Sequence, residues 1–463
     1  MKRIVSCAGT CALLAALAGT AQATNGYQLI GVGQAQKGMG GAVTAAPMDT
    51  MTAITNPAGM AVVGERADFS MEAFMPHRRV DFSGSGGGST DGGSELYGIP
   101  SVGWVAKAFR RDDMYFGGGM FATSGLGVDY DQITMAPAGA FGASGPTSAI
   151  TFTGYSAIQF WKMAPTVAWR ASEHTSLGAS LNVDYQSLTM VQRFNNIPFY
   201  NTPPGTIGDP TTDGNVVFDL GRPTNQMGFG ASVGVLHEVS DMVTVGASYT
   251  TQQQFPDGQY RLGTNDLLNY NGATGMAGTY KLALDYPQQA ALGVAVTPTQ
   301  RVLVDFDIKW IDWSSTHNKV DLKGPAGSFV AVQNPTGSTS STQLDFGWRD
   351  QWVYALGVQF AATDALKLRA GFNYAKAPID SADVFNNIIF PALVERHLTF
   401  GVDYRLGDHW GIGGTYMKAF KKTLTGTGDV PGGFQAGTPF GASSGTKISL
   451  DETSVGLLLS YRF

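Results

Sequence analysis

The stretch Thr453-Ser454-Val455-Gly456-Leu457-Leu458-Leu459-Ser460-Tyr461-Arg462-Phe463 decides how the rest of the chain is read. In an extended backbone successive side chains point to opposite faces, so Thr453, Val455, Leu457, Leu459, Tyr461 and Phe463 share one face. That face is apolar up to the final residue. A soluble β-protein has no need for it, because an exposed hydrophobic edge strand invites aggregation. A strand that meets lipid does need it.

The same period of two recurs upstream. Phe400, Val402, Tyr404 and Leu406 oppose Thr399, Gly401, Asp403 and Arg405, and Leu366, Leu368, Ala370, Phe372 and Tyr374 oppose Lys367, Arg369, Gly371 and Asn373. Leu177–Tyr185 puts Gly178, Ser180, Asn182 and Asp184 on its polar face, while Val302–Trp310 opposes its apolar residues with Leu303, Asp305, Asp307 and Lys309. A soluble sandwich also alternates. Charged residues facing in, apolar ones facing out and aromatics near strand ends (Trp310, Trp352, Tyr354, Tyr404, Trp410) favour a transmembrane barrel.

Composition agrees. Only 14% of residues are charged and 61 are glycine. No apolar run reaches the length of a membrane-spanning helix, which leaves a closed barrel as the membrane structure. The start carries Lys2 and Arg3, an apolar stretch Ile4–Leu17 and the triplet Ala21-Gln22-Ala23, the pattern of a cleaved secretory signal, with cleavage expected between Ala23 and Thr24. Both cysteines, Cys7 and Cys11, fall inside that signal, so no disulfide or cysteine metal site is expected in the mature chain. The formal charge of −6, without basic or acidic blocks, gives no reason to expect nucleic acid as a partner.

The expected organisation is a signal peptide at 1–23, a distinct Gly-, Ala- and Met-rich segment at 24–64 and a barrel over 65–463. Alternating segments at 66–75, 99–109, 114–122, 154–170, 176–190, 227–238, 241–252, 279–297, 300–311, 351–361, 365–376, 396–406, 409–420 and 450–463 make an all-β, antiparallel transmembrane barrel of about fourteen strands. Pro287 is a candidate to split the eighth of them. Short turns (239–241, 363–364, 407–408) alternate with long stretches (191–226, 312–350, 377–395, 421–449) that read as loops, the short turns being assigned to the periplasmic side.

Several segments resemble the FadL family of outer-membrane transporters for long-chain fatty acids and other hydrophobic compounds. Asn25-Gly26-Tyr27-Gln28-Leu29 is similar to the family's N-terminal segment and Asn56-Pro57-Ala58 to its NPA motif. Thr224–Gly230, Trp348–Gly357 and Leu368–Tyr374 resemble family strands, in the family's order along essentially the whole mature chain. Phe116–Tyr130 and Glu395–Gly401 resemble a branch associated with aromatic hydrocarbons such as toluene. The end of the chain at Phe463 resembles the terminal signal read by the outer-membrane assembly machinery. The resemblance implies a monomeric barrel plugged by an N-terminal hatch, with a lateral opening at a kink in the third strand. It implies no cofactor, and hydrophobic small molecules and outer-membrane lipids as partners. Fatty acids are expected first, with alkanes and monoaromatic compounds open.

Candidate residues follow. Asn56 and Pro57 suit a helix start, cap and first turn, and are assigned to positioning the hatch. Gly119, Gly125 and Gly127, with Gly117 and Gly118, mark a bulge or bend in the third strand, or else close packing against the hatch. The resemblance places Arg349 at a family lysine beside the inner ligand site, in agreement with its parity with Gln351, and Arg193 at a family arginine, although strand parity turns Arg193 outward. It places Tyr27 where the family packs an aromatic on its ligand. Arg396 and His397 match the hydrocarbon branch, or are a solvated loop pair.

Enzyme readings fare poorly. Gly441-Ala442-Ser443-Ser444-Gly445 fits G-x-S-x-G but lies in a loop rather than on a strand-to-helix elbow. The six histidines are scattered, with no metal-ligand spacing. A lipase, and an open porin or adhesin barrel, stay as alternatives; a plug of about forty residues argues against an open channel.

Overall fold

The computed structural model describes residues 25–108, 111–139, 148–198, 213–268, 273–331, 334–427 and 445–463. The expected signal and its Ala23/Thr24 cleavage site, and most of the G-x-S-x-G segment, lie outside them.

Fourteen antiparallel strands close into a barrel: β1 Arg66–Asp81, β2 Tyr97–Lys107, β3 Met114–Ala136, β4 Ile150–Met163 continued by Thr166–Arg170, β5 Thr175–Pro198, β6 Asp213–Ser240, β7 Val243–Thr250, β8 Gln289–Thr299, β9 Val302–Ile311, β10 Gln351–Ala361, β11 Leu366–Ala375, β12 Arg396–Leu406, β13 Trp410–Thr425 and β14 Lys447–Arg462. The decisive terminal stretch closes it, with β14 pairing β1 from Arg66↔Arg462 to Asp81↔Lys447. Val455, Leu457 and Leu459 are exposed on the outside while Ser454, Gly456 and Ser460 face in. Around the barrel Trp104, Val233, Leu292, Phe306, Leu356 and Phe400 continue the exposed apolar belt. A bilayer supplies the burial that water denies such a belt.

The polar inner face has a different task. Residues 25–61 sit in the lumen, almost all buried, with only short helical turns at Gln34–Gly38, Thr52–Thr55 and Pro57–Ala61. Their backbone groups therefore need partners, and the wall provides them. Asp307 on β9 accepts from Val43 N and Thr44 N at 2.8 and 2.9 Å. Asp68 on β1 accepts from Thr50 N at 2.9 Å, Thr415 on β13 donates to Gln34 O at 2.8 Å and Asn373 on β11 donates to Gly40 O at 3.0 Å. The charged and amide positions of the period-two pattern thus anchor the luminal segment.

Two expectations, at 191–226 and 154–170, are corrected, and the one left open at Pro287 is decided. The stretch 191–226 is not mainly loop: β5 and β6 run on as a ladder to Pro198↔Asp213. Beyond the register shift at Leu188/Met190 the pattern inverts, with Val216, Phe218 and Leu220 buried inside and Arg193 turned to water, so apolar-out alternation no longer marks the strand. The segment 279–297 is split at Pro287, since Gly278–Leu282 joins a separate sheet with 258–262, 319–323 and 341–345, and β8 begins at Gln289. The segment 154–170 breaks at Ala164-Pro165, which packs against Gly118 at φ +139°.

Candidate functional site

The external four-stranded sheet caps the barrel and helps to enclose an apolar cavity. Its wall is Leu126 of β3, Ile158 of β4 and Leu188 and Met190 of β5; Leu282, Leu284 and Val320 come from the cap, Phe346 and Trp348 precede β10, and Phe390 comes from the loop 377–395. The luminal segment contributes Tyr27, and the helix Trp313–His317 contributes His317. Traced by the centre of a water-sized sphere, the cavity holds about 30 Å³. A free volume that small means that side chains must move to admit a ligand larger than water.

Tyr27 reaches this place through local chemistry. Gly26 takes φ +70°, and a Cβ there would lie 2.7 Å from the Trp313 ring, so the Asn25-Gly26-Tyr27 turn can press against that ring only with glycine. Tyr27 then packs in an aromatic cluster with Trp313 (4.8 Å), His317 (5.2 Å), Tyr286 (5.7 Å) and Trp348 (5.8 Å between ring centroids).

The polar atoms of the cluster are satisfied among themselves. The Tyr27 hydroxyl lies 2.8 Å from His317 Nε2, and Thr316 Oγ1 is 2.7 Å from His317 Nδ1. Trp313 Nε1 donates to Gln351 and Trp348 Nε1 to Asn387, at 2.9 and 2.8 Å. Burial pushes the His317 imidazole down to about 3 and the Tyr27 phenol up, so both are neutral. The cavity therefore offers a ligand carbon surface without a charge.

Across Tyr27 and Tyr286 lies a second cavity of about 80 Å³ by the same measure, lined by Gln28–Val32 and by inward residues that include Lys162, Gln289, Asp307 and Lys309. Lys309 Nζ donates to Gln28 Oε1 at 3.1 Å. A wider vestibule of about 470 Å³ lies at the end of the barrel carrying the short turns, beside Arg170, His174 and Lys367.

The wall is interrupted between β2 and β3. Their ladder runs only from Ser101↔Phe121 to Lys107↔Tyr115, whereas the first residues of β2 pair with β1 alone, up to Phe74↔Tyr97. Beyond the ladder alternation stops, and Phe121–Val128 is buried at every position. This part of β3 has bent into the lumen. The luminal segment covers its free edge, with Leu29 N donating to Thr123 O and Gly125 N to Tyr27 O, both at 3.1 Å.

The expected site residues separate. Tyr27 lines the apolar cavity. Asn56 caps the turn Pro57–Ala61, accepting from Ala58 N at 3.2 Å, and donates to Thr44 O and to Val235 O of β6 at 2.8 and 3.1 Å. Gly119 stands inside the β2–β3 ladder, paired with Gly103 two residues before it ends at Phe121, Gly125 against the luminal segment and Gly127 on the bent edge.

Arg349 stands elsewhere than its parity with Gln351 suggested. The ladder begins only at Gln351, and in the irregular backbone before it Trp348 turns inward while Arg349, with a side chain 54% exposed, pairs with Asp380 and Asp383. Arg193 is 52% exposed and pairs with Asp219. Arg396 is exposed at the start of β12, although its neighbour His397 is buried. The residues that the sequence reading missed are His317, Trp313, Tyr286 and Lys309. Only Lys309 carried a signal, a cation on the inward face of a strand.

A closed barrel with a lipid-facing belt, an occupied lumen and an apolar inner cavity is a bacterial outer-membrane protein of the plugged type. The model of the outer membrane protein transport protein family (OMPP1/FadL/TodX) matches residues 10–429, and the chain belongs to that family. A 47 kDa outer membrane protein of Pasteurella multocida is 25% identical over 249 residues, 52% of this chain; the match spans about half (51%) of that relative's length. Among solved structures, the toluene transporter TodX of Pseudomonas putida (20% identical, TM-score 0.68, 94% of this chain and 99% of that one) shares the fold. So does a FadL homologue of Pseudomonas aeruginosa (19%, TM-score 0.72, 95% and 100%). The toluene transporter TbuX of Ralstonia pickettii (19%, TM-score 0.64, 94% and 99%) is a third.

Proposed function

We propose that this chain carries small uncharged hydrophobic molecules, monoaromatic hydrocarbons first among them, across the outer membrane without chemical change. The ligand rests in the cavity beside Tyr27, and the luminal segment acts as the hatch whose displacement frees the bent edge of β3 for sideways exit. The observation that carries this reading is the cavity's lining, whose polar atoms are already paired and which includes neither lysine nor arginine among the described residues. A carboxylate placed there would lose its hydration and gain no cation. Sideways exit suits an apolar cargo, because crossing a watery lumen would forfeit about 0.8 kcal/mol per buried methylene.

A second reading keeps long-chain fatty acids as the cargo. Lys309 on the second cavity favours it, since a chain lying in the apolar cavity could extend its carboxylate past Tyr27 to that ammonium. Binding of toluene and of oleate to the purified barrel, in wild type and in Lys309→Met, separates the two. Saturable toluene binding that the variant leaves unchanged, with weak oleate binding, is expected. Tight oleate binding that drops tenfold or more (about 1.4 kcal/mol) in Lys309→Met would replace the hydrocarbon reading by the fatty-acid one.

A further inference from the structure

Four alternate positions on the bent edge of β3 face the gap left by β2. Thr123 O and Gly125 N bond the luminal segment, and Asp129 O accepts from Gly93 N at 2.7 Å in the connection between β1 and β2. The fourth, Gly127 O, is held by a side chain, the guanidinium of Arg78. Arg78 points inward from β1 and is buried. Its other amino group donates to Ser94 O and, at 3.0 Å, to Tyr97 Oη at the start of β2, and its guanidinium carbon lies 5.4 Å from the Tyr97 ring centroid. One planar cation thus ties together β3, β2 and the connection beside it, across the place where the ladder fails.

Next to it stands a buried acid. Glu452 on β14 is fully buried, and among the described residues neither of its carboxyl oxygens has a hydrogen-bond partner. The register pairs Arg78 with Leu450 and Pro76 with Glu452. On the inner face Glu452 is therefore the diagonal neighbour of Arg78, a spacing within reach of a long side chain.

We propose that Arg78 is the latch of the lateral opening and Glu452 its receiver: the guanidinium moves between Gly127, Ser94 and Tyr97 when the wall is shut and the Glu452 carboxyl when cargo leaves. In the shut position it makes several bonds to neutral oxygens; in the open position it would make a forked, charge-assisted pair, which is stronger per bond. In the shut position both terminal amino groups are paired and Nε, among the described residues, is not; the open position would keep the guanidinium paired with the carboxyl, so each position holds the buried cation, as a two-state element requires. The inference rests on sideways exit as the route.

Two measurements separate the route from the latch, both reading uptake of labelled toluene or oleate, whichever the purified protein binds. Gln28 and Ser124 face each other as a bridge pair, a spacing that suits a disulfide. Oxidised Gln28→Cys/Ser124→Cys should lose uptake and regain it with reductant; uptake unaffected by oxidation would overturn sideways exit itself. With that block established, Glu452→Gln should slow uptake about tenfold, at unchanged ligand affinity, by removing the open position. Arg78→Lys, which keeps the charge but loses the fork, should speed uptake or raise the basal leak. The double variant should behave as Arg78→Lys alone. Unchanged uptake in Glu452→Gln, or simple addition of the two effects, would overturn the latch while leaving the route standing. Heat-modifiable gel mobility checks that each barrel has assembled.

Discussion

The Tyr27 hydroxyl and His317 Nε2 lie 2.8 Å apart, joining residues 290 positions distant in the chain. One belongs to the luminal segment and the other to the short helix that follows β9 at the capped end of the barrel. Cavity lining and luminal plug are thus parts of one contact, and a ligand that pushes on Tyr27 also loads Gly125, whose N–H is bonded to the Tyr27 carbonyl. The lining of the cavity is in this way joined through Tyr27 to the bent edge of β3.

This contact should be acid-sensitive. Burial holds the His317 imidazole at about 3, against about 6.5 for a histidine in an unfolded or locally opened segment. Between those values the opened state takes up a proton that the closed state refuses, so the closed packing is fully favoured above about pH 6.5 and weakens as pH falls toward the lower value. Tryptophan emission from Trp313 and Trp348 should shift reversibly to the red between about pH 7 and about pH 4.5, and His317→Gln should abolish the shift. A shift of equal size in the variant would remove His317 as its cause.

Asn56→Ala should loosen the luminal segment without opening the barrel. It removes the acceptor for Ala58 N and the donor to Thr44 O and Val235 O, leaving buried groups unpaired at about 1–3 kcal/mol each. Hydrogen exchange over residues 52–61 should accelerate while the strands stay protected, and uptake should fall. Unaltered exchange there would mean that the wall contacts alone hold the segment.

The barrel was legible in the sequence because lipid outside and an amide-rich lumen inside force strict alternation, and Leu457 against Gly456, or Phe306 against Asp307, states it residue by residue. The alternation failed as a guide where the surroundings changed. Beyond Leu188, Phe218 turns in and Arg193 out; at Phe121–Val128 both faces are covered and the signal disappears. Motifs single out Tyr27 and Asn56 in the sequence, and the structure places them on the cavity and at the turn Pro57–Ala61. His317, Tyr286 and Glu452 act through neighbours distant in sequence, and no local pattern announces such pairings. Arg349 stands two residues before its ladder starts at Gln351, where parity no longer fixes which way a side chain points.

Arg349→Ala should leave ligand affinity within about twofold, since an exposed ion pair contributes about 0–1 kcal/mol. The pairing with Asp380 and Asp383 holds the loop that brings Phe390 to the cavity, and burial together with Asp380 raises the Asp383 carboxyl to about 6. Its loss should therefore appear as faster ligand exchange rather than weaker binding, readable by stopped-flow fluorescence. A tenfold loss of oleate affinity would instead return Arg349 to the ligand site.

Filling the cavity tests it most directly. Leu126, Ile158 and Leu188 stand side by side at one level of β3, β4 and β5, and their side chains form its wall. An indole at position 158 projects into a space of about 30 Å³, where added bulk costs about 1–3 kcal/mol even before a ligand competes for the same volume. Ile158→Trp should therefore weaken toluene binding at least tenfold and reduce uptake in step, while the outward face of β4 and the heat-modifiable mobility of the barrel stay unchanged. Ile158→Ala makes the opposite change: it enlarges the cavity, so a single ring loses contacts while a longer alkane gains room, and the ratio of octane to toluene affinity should rise. If Ile158→Trp binds and transports toluene as the wild type does, the cavity beside Tyr27 is not on the path of the cargo.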